Sequence, residues 1–319
     1  MSPYRLGIIG CGTMARALAP RLVASGQFEI AAAWDPAPQA RAAMAALAHN
    51  AMRPSAEAVL TDPDVDLVYI ASPPGTHLQY LAAAAEAGKA VLCEKPLALD
   101  VDAAATLVAR ARREGWRVAV NFVFGASPPV AMLAALLRDG AVGRVTRAEV
   151  RLRFRQWPRP WQADATWLAQ RAEGGFCREV LSHFLFLLVR QLGTPHVLAH
   201  AVVYPRDPAA AETSLQAQLR IGDTPVEIDA AVAGAIDDDN RCTFVGTDGA
   251  LRMHDWYCVQ RRIGGEWHPV GAADKETSYR QTREGLVEQL RAFCAGAPHT
   301  LATLDEAWQV QQTVEALLR

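Results

Sequence analysis

Glu94-Lys95-Pro96 sets an acid, a base and a proline side by side, directly after the apolar run Val91-Leu92-Cys93. Such a run predicts a strand buried in a parallel sheet. Open α/β sheets bind ligands beyond the carboxyl ends of their strands. Lys95 is therefore expected where an ammonium can polarise a substrate oxygen and stabilise developing alkoxide charge. The plainer alternatives are a surface lysine and, for Glu94, a structural carboxylate. A second pair suited to proton transfer is Glu179 and His183, four residues apart and so on one face of a helix. A carboxylate beside an imidazole raises its basicity and fixes its orientation, which suits removal of a hydroxyl proton or its return to a carbonyl. The same spacing also serves a pair that only stabilises its helix. His49, His196, His200, His254, His268 and His299 have no comparable setting, and His77, at a helix start, reads first as a hydrogen-bonding group.

A dinucleotide site is expected elsewhere in the first domain, at its first glycine-rich turn. Gly10-Cys11-Gly12-Thr13-Met14-Ala15 follows a short apolar strand and opens a helix, the context that a Gly-x-Gly-x-x-Ala turn requires. Gly10 makes the tight turn, Gly12 admits the pyrophosphate to the backbone, and small Ala15 lets helix and strand pack closely. Phosphate then meets free amides at the positive end of a helix, where Thr13 and Met14 are also assigned to the cofactor. Asp35, about twenty residues further on at the end of the next strand, suits the adenosine ribose hydroxyls. Its charge repels a 2′-phosphate, so NAD is expected ahead of NADP, with Arg41 softening the preference.

These groups need a scaffold. Residues 5–10, 28–34, 66–72, 89–93 and 117–120 read as strands, alternating with helices near 12–25, 38–49, 55–60, 76–87 and 101–114. That alternation predicts βαβ units and a doubly wound parallel sheet of Rossmann type over residues 1–121. From residue 122 to 319 the pattern changes. Strands are expected at 145–154, 197–204, 214–221, 225–233, 242–246 and 250–253, with helices near 175–192, 279–295 and 304–318. This predicts an α+β domain on a mostly antiparallel sheet, with Thr247-Asp248-Gly249 as a hairpin turn.

At 319 residues two domains are expected. A net charge of −2 gives no electrostatic case for nucleic acid. No apolar run approaches the roughly 18 residues that span a bilayer, and Met1-Ser2-Pro3-Tyr4-Arg5 is no secretory signal. The six cysteines are scattered without zinc spacing, which suits free thiols in a reducing cytoplasm and predicts no metal site. Residues 151–167 carry arginines and three tryptophans, Trp157, Trp161 and Trp167. They suit either a substrate loop gripping an aromatic or anionic molecule or an oligomer interface, and Arg178 suits both. Asp237-Asp238-Asp239-Asn240 lacks the glycine and spacing of a calcium loop and reads as a solvated turn.

With the glycine turn, Ser72-Pro73-Pro74-Gly75-Thr76-His77, Ala87-Gly88-Lys89 and Glu94-Lys95-Pro96 in order, the chain resembles the Gfo/Idh/MocA oxidoreductases. Gly174-Gly175, Glu179-x-x-x-His183, Gly246-Thr247-Asp248-Gly249 and Leu304-Asp305-Glu306-Ala307 extend the resemblance over nearly the whole chain. The resemblance implies a Rossmann domain, a second domain with a large open sheet, and a nicotinamide cofactor. It also implies oxidation or reduction of a hydroxyl or carbonyl on sugars, inositols and related molecules. By matching position, Lys95 is implied as the catalytic lysine and His183 as the acid/base, with Glu179 beside it. Glu94 and Pro96, the latter after a cis bond, are implied to shape the nicotinamide pocket, and Ser72, Pro73 and His77 to line the cofactor.

Two departures stand out: Glu179 replaces the usual aspartate, and Asn121-Phe122-Val123-Phe124 lacks the family's arginine, which makes the pocket more apolar. Substrate contacts are assigned to Lys95, Asn121, Trp161, Arg178 and His183. The expected activity is interconversion of a secondary alcohol and a ketone, or a related carbonyl or imine, on a sugar-like, cyclic or more apolar small molecule. An NAD-dependent glycoside hydrolase without net redox change and a silent cofactor-binding protein are the alternatives. An open sheet needs a cover, so a homodimer or homotetramer through the C-terminal sheet is expected.

Overall fold

The computed structural model describes residues 2–162, 165–232, 238–271 and 274–319. The chain divides into two compact units, Met1–Gly125 with Leu286–Trp308, and Ala126–Gly285 with Gln309–Arg319. The first unit holds five parallel strands: β1 (Tyr4–Ile9), β2 (Phe28–Trp34), β3 (Leu67–Ile70), β4 (Ala90–Cys93) and β5 (Val118–Val120). They are linked by α1 (Thr13–Ala24), α2 (Pro38–Ala45), α3 (Ala56–Leu60), α4 (His77–Glu86) and α5 (Val101–Glu114).

The sheet order is β2-β1-β3-β4-β5, so the winding reverses between β1 and β3. Ligands bind beyond the strand ends at such a reversal. Every residue of β3 and β4 is buried, as strands covered on both faces must be. Helix α5 is bounded by local chemistry: the Asp100 carboxylate accepts from the amides of Asp102 and Ala103, and Gly115 closes the helix in left-handed backbone.

The second unit is built on an eight-stranded sheet in the order β13-β12-β11-β10-β6-β9-β8-β7. Its strands are β6 (Val145–Phe154), β7 (Pro195–Val203), β8 (Ser214–Ile221), β9 (Thr224–Val232), β10 (Asp239–Gly246), β11 (Ala250–His254), β12 (Cys258–Ile263) and β13 (Glu266–Val270). Its pairings are antiparallel except between β6 and β9. Along β8 the buried Leu215, Ala217, Leu219 and Ile221 alternate with exposed Gln216, Gln218 and Arg220, so one sheet face packs and the other does not.

Helix α6 (Pro128–Arg138) lies against β11 and β12. Helix α7 (Ser182–Leu192) has every residue from Ser182 to Val189 buried, the pattern of a helix apolar all round. Helices α8 (Lys275–Cys294) and α9 (Leu304–Leu317) contribute to both units.

The parallel and antiparallel sheets are as expected. The single helix expected near residues 175–192 is instead a π-helical turn, Cys177–Leu181, running into α7. Helix α6 and strands β12 and β13 are additional to the elements expected from sequence. Ala163, Asp164 and Asp237, which fall within the tryptophan-rich and acidic segments, lie outside the described residues, as does Ala233 at the expected end of β9. Among the described residues no helix is long and apolar enough to cross a membrane.

Candidate active site

In the first unit, the glycines of the β1–α1 turn have different reasons to be glycine. Gly10 adopts a φ of +92°, and a Cβ there lies 2.5 Å from the backbone of Ala71 and Ser72. Its role is to let β1 and β3 close together. Gly12 caps α1 in extended backbone, and a Cβ on it meets nothing within 4 Å. Protein packing gives no reason for glycine at position 12; close approach of a ligand phosphate to the helix amides does. Thr13 and the 41% exposed Met14 flank this open edge, and Ala15 is fully buried.

Asp35, beyond the end of β2, accepts the Cys11 amide at 2.7 Å and the Ala37 amide at 2.8 Å, so its carboxylate is held beside the turn. Arg41 donates to the backbone carbonyls of Asp35 and Pro36. The open Gly12 edge, the free start of α1 and the oriented Asp35 together fit the pyrophosphate and ribose of a dinucleotide.

The lysine turn lies at the carboxyl end of β4. The Lys95–Pro96 bond is cis. Glu94 is buried, and its Oε1 accepts from the Tyr69 hydroxyl at 2.5 Å and the Asn121 side-chain amide at 2.7 Å. Burial and then the Glu94 charge push the Tyr69 phenol well above its ordinary pKa, so Tyr69 stays a donor. Lys95 is half-buried beside this carboxylate.

His77 is buried, with Nδ1 2.8 Å from the Pro96 carbonyl and Nε2 2.8 Å from the Ser72 carbonyl. Burial lowers its pKa below 6.5 and the Lys95 charge adds to this, against the raising effect of the carbonyls. Ser72 Oγ is 2.7 Å from Thr76 Oγ1, which donates to the carbonyl of the exposed Pro73. The structure thus joins Ser72, His77 and Pro96 in one hydrogen-bonded clip, and Glu94 and Asn121 in another.

In the second unit, Gly174 and Gly175 open the π turn because neither position admits a Cβ. The built atom lies 2.4 Å from the Trp167 carbonyl oxygen at Gly174 and 2.3 Å from the Glu212 carboxylate at Gly175. Glu212, itself buried, accepts the Cys177 amide at 2.8 Å.

Arg178 points into the fold. Its guanidinium pairs with both carboxylate oxygens of Glu315 at 2.7 and 2.8 Å and donates to the carbonyls of Arg171 and Gly174. Burial opposes its charge, but Glu315 more than offsets this and raises the pKa. Breaking such a buried pair costs roughly 3–5 kcal/mol, so these contacts mark Arg178 as a structural group more than a substrate ligand.

Glu179 is half-buried; its Oε1 accepts from Gln162 Nε2 at 2.9 Å and lies 3.9 Å from Arg159 Nη2. Arg159 Nε in turn donates to Gln162 Oε1 at 2.9 Å. The Arg159 guanidinium lies 4.8 Å from the ring centroid of Trp161, 5.7 Å from Trp256 and 5.8 Å from Trp157. Burial draws its pKa below the ordinary arginine value, opposed by the Glu179 charge. Trp161 is 60% exposed. His183 is buried at the start of α7, its ring 5.6 Å from that of Trp256. Arg159 and Gln162 belong to the tryptophan-rich segment noted in the sequence, though neither stands out individually, and Trp256 carries no sequence signal at all.

The model of the oxidoreductase family with an NAD-binding Rossmann fold matches residues 4–122, and that of the GFO/IDH/MocA C-terminal domain matches residues 130–252. An inositol 2-dehydrogenase of Acidothermus cellulolyticus is 29% identical over 274 residues, 82% of this chain and 76% of that protein. Three further curated relatives, 34–35% identical, are matched over less than half of their own length. A 3-ketoreductase from Actinomadura kijaniata in complex with NADP and TDP-benzene superposes with a TM-score of 0.79 at 21% identity, over 99% of this chain and 96% of that one. An oxidoreductase from Agrobacterium radiobacter in complex with NAD+, L-tartaric acid and magnesium gives 0.82 at 17% identity, over 98% and 94%. At these identities the two solved structures establish the fold alone.

The two glycines separate stability from binding. Gly10→Ala is expected to destabilise the protein by about 2–6 kcal/mol through strain and overpacking, seen as a lower thermal midpoint or insolubility. Gly12→Ala keeps the midpoint of the cofactor-free protein but weakens NADH binding about tenfold or more, ~1.4 kcal/mol, in a fluorescence titration; unchanged affinity refutes its role. His77, with its lowered pKa, binds fewer protons than in the unfolded chain. Its contribution to stability is complete above pH 6.5 and erodes as pH falls through and below that value. The thermal midpoint of His77→Gln should therefore fall less steeply than that of the wild type between pH 6.5 and about pH 5; parallel slopes contradict the assignment.

Proposed function

Since this chain belongs to the Gfo/Idh/MocA oxidoreductase family, we propose that it interconverts a secondary alcohol and a ketone, or a related carbonyl or imine, on a sugar-like, cyclic or more apolar small molecule. The observation that carries the reading is Lys95 at the carboxyl end of β4, beside the buried Glu94 carboxylate and the cis Pro96. A nicotinamide dinucleotide, when bound, supplies the two-electron chemistry. Lys95 holds the substrate oxygen and stabilises the negative charge that develops on it. His183 takes the hydroxyl proton in oxidation and returns it in reduction. Glu179, anchored by Gln162 and facing Arg159, keeps a carboxylate on the helical segment that carries His183.

NAD is favoured over NADP because the Asp35 carboxylate suits ribose hydroxyls and repels a 2′-phosphate. The named activity of the inositol dehydrogenase relative supports a polyol or sugar ring as substrate class. The unpacked face of the eight-stranded sheet, which carries exposed Gln216, Gln218 and Arg220 and the more than half exposed Val203, supports self-association through the second unit.

Purified protein with NAD or NADP and a panel of polyols, hydroxy acids, ketones and imines should show a change at the reduced-nicotinamide absorbance band. Lys95→Ala should abolish it while leaving NADH affinity within about threefold, since the lysine acts on the substrate oxygen. Full turnover in that variant sinks the catalytic role of Lys95. Glycoside cleavage without net absorbance change would instead identify a hydrolase that uses its cofactor transiently. Sedimentation analysis should find a dimer or tetramer, and a monomer at micromolar concentration rules out the proposed sheet contact.

A further inference from the structure

The turn between β11 and β12 carries two successive residues with positive φ, Asp255 at 48° and Trp256 at 68°. Left-handed backbone is open to glycine and tolerated by aspartate or asparagine, but it is an outlier for a large side chain, whose Cβ crowds its own carbonyl. Among the described residues these two are the non-glycine residues with positive φ. Glycine at position 256 would close the same turn without strain. A tryptophan that opposes the preference of its own turn must be held by contacts outside it.

Those contacts converge on the proton-transfer group. The indole meets the His183 imidazole edge-on, with centroids 5.6 Å apart and planes at 74°. It also packs on Phe184, the next residue of α7, at 5.4 Å, and its ring centroid lies 5.7 Å from the Arg159 guanidinium. Both ring contacts fall in the range where aromatic pairs attract with a preferred orientation. The backbone of α7 is fixed by burial on all sides, but this does not fix the imidazole plane, because the histidine χ2 torsion is broad. A wall beside the ring restricts that torsion.

We propose that Trp256 is a positioning residue for His183, its indole held in a strained turn so that the imidazole keeps one plane. This rests on the reading of His183 as the proton carrier. Proton transfer requires the nitrogen at hydrogen-bond reach in a defined direction, and a displacement of about 1 Å costs on the order of a hundredfold in rate.

Trp256→Gly relieves the backbone strain and removes the wall, while Trp256→Phe keeps a ring. Carbon relaxation of the labelled imidazole, with the His183 signals assigned by their loss in His183→Asn, reads the mobility of the ring without any substrate. Order parameters near ~0.85 are expected in the wild type and the phenylalanine variant, and below ~0.6 in the glycine variant. On a responsive panel compound, Trp256→Gly should lower kcat at least about tenfold with the cofactor KM within about twofold, and Trp256→Phe should recover part of the loss.

A rigid His183 ring in Trp256→Gly overturns the proposal, and so does a mobile ring with unchanged kcat. The parent reading is tested separately by turnover of His183→Asn. Activity in that variant removes His183 as proton carrier, whereas its loss alongside a wild-type Trp256→Gly removes only the positioning role.

Discussion

Residue 10 has no room for a side chain, and much of the first unit's chemistry follows from that. The approach of Gly10 to the backbone of Ala71 and Ser72 brings the ends of β1 and β3 together at the reversal of the sheet. Once Ser72 is held there, its carbonyl engages His77, and the other nitrogen of that ring reaches the carbonyl of Pro96. The glycine turn and the lysine turn are thereby linked through one imidazole. A second link runs from Tyr69 on β3 through Glu94 to Asn121 just beyond β5. Lys95 sits between these two ties, so its backbone is defined from both sides.

The second unit solves a comparable problem with buried charge. Glu212 and Glu315 reach buried partners at the start of the π turn, one accepting the Cys177 amide and the other clamping the Arg178 guanidinium. Each contact fixes a group that lies within a turn of Glu179. The π turn itself widens the helix where Glu179 stands, an irregularity found frequently at functional sites. Apolar packing then takes over through the buried run of α7.

The parallel sheet was legible because its strands are short apolar runs punctuated by helices, and because the glycine turn and Glu94-Lys95-Pro96 fall where such sheets place their ligands. Strands β12 and β13 were not, since Cys258-Val259-Gln260-Arg261-Arg262 is too polar to read as a strand before its partners are known. The paired Gly264-Gly265 that joins them was the available signal. Helix α6 begins with Pro128-Pro129, which reads as a breaker although proline is favoured at a first helical position.

The Glu179–His183 spacing was visible, but the widened turn beneath it was not, because four-residue spacing suits either helix. Arg178 looked like a ligand because its partner Glu315 is far away in sequence. Trp256 was invisible for the opposite reason: its turn conformation runs against its residue type, so local preference pointed elsewhere.

Helix α7 has a consequence for how relatives of this protein diverge. With Ser182 through Val189 buried, a polar or resized side chain along that stretch carries a folding penalty of about 2–5 kcal/mol, a large fraction of a typical domain's margin. The helix bearing His183 is therefore closed to experiment by mutation. The exposed loop positions Arg155, Gln156, Pro160 and Trp161 are not, since such positions tolerate change. New substrate ranges should accordingly be acquired by rewriting that loop while the buried helix stays frozen, a division between an inherited scaffold and an adaptable appetite.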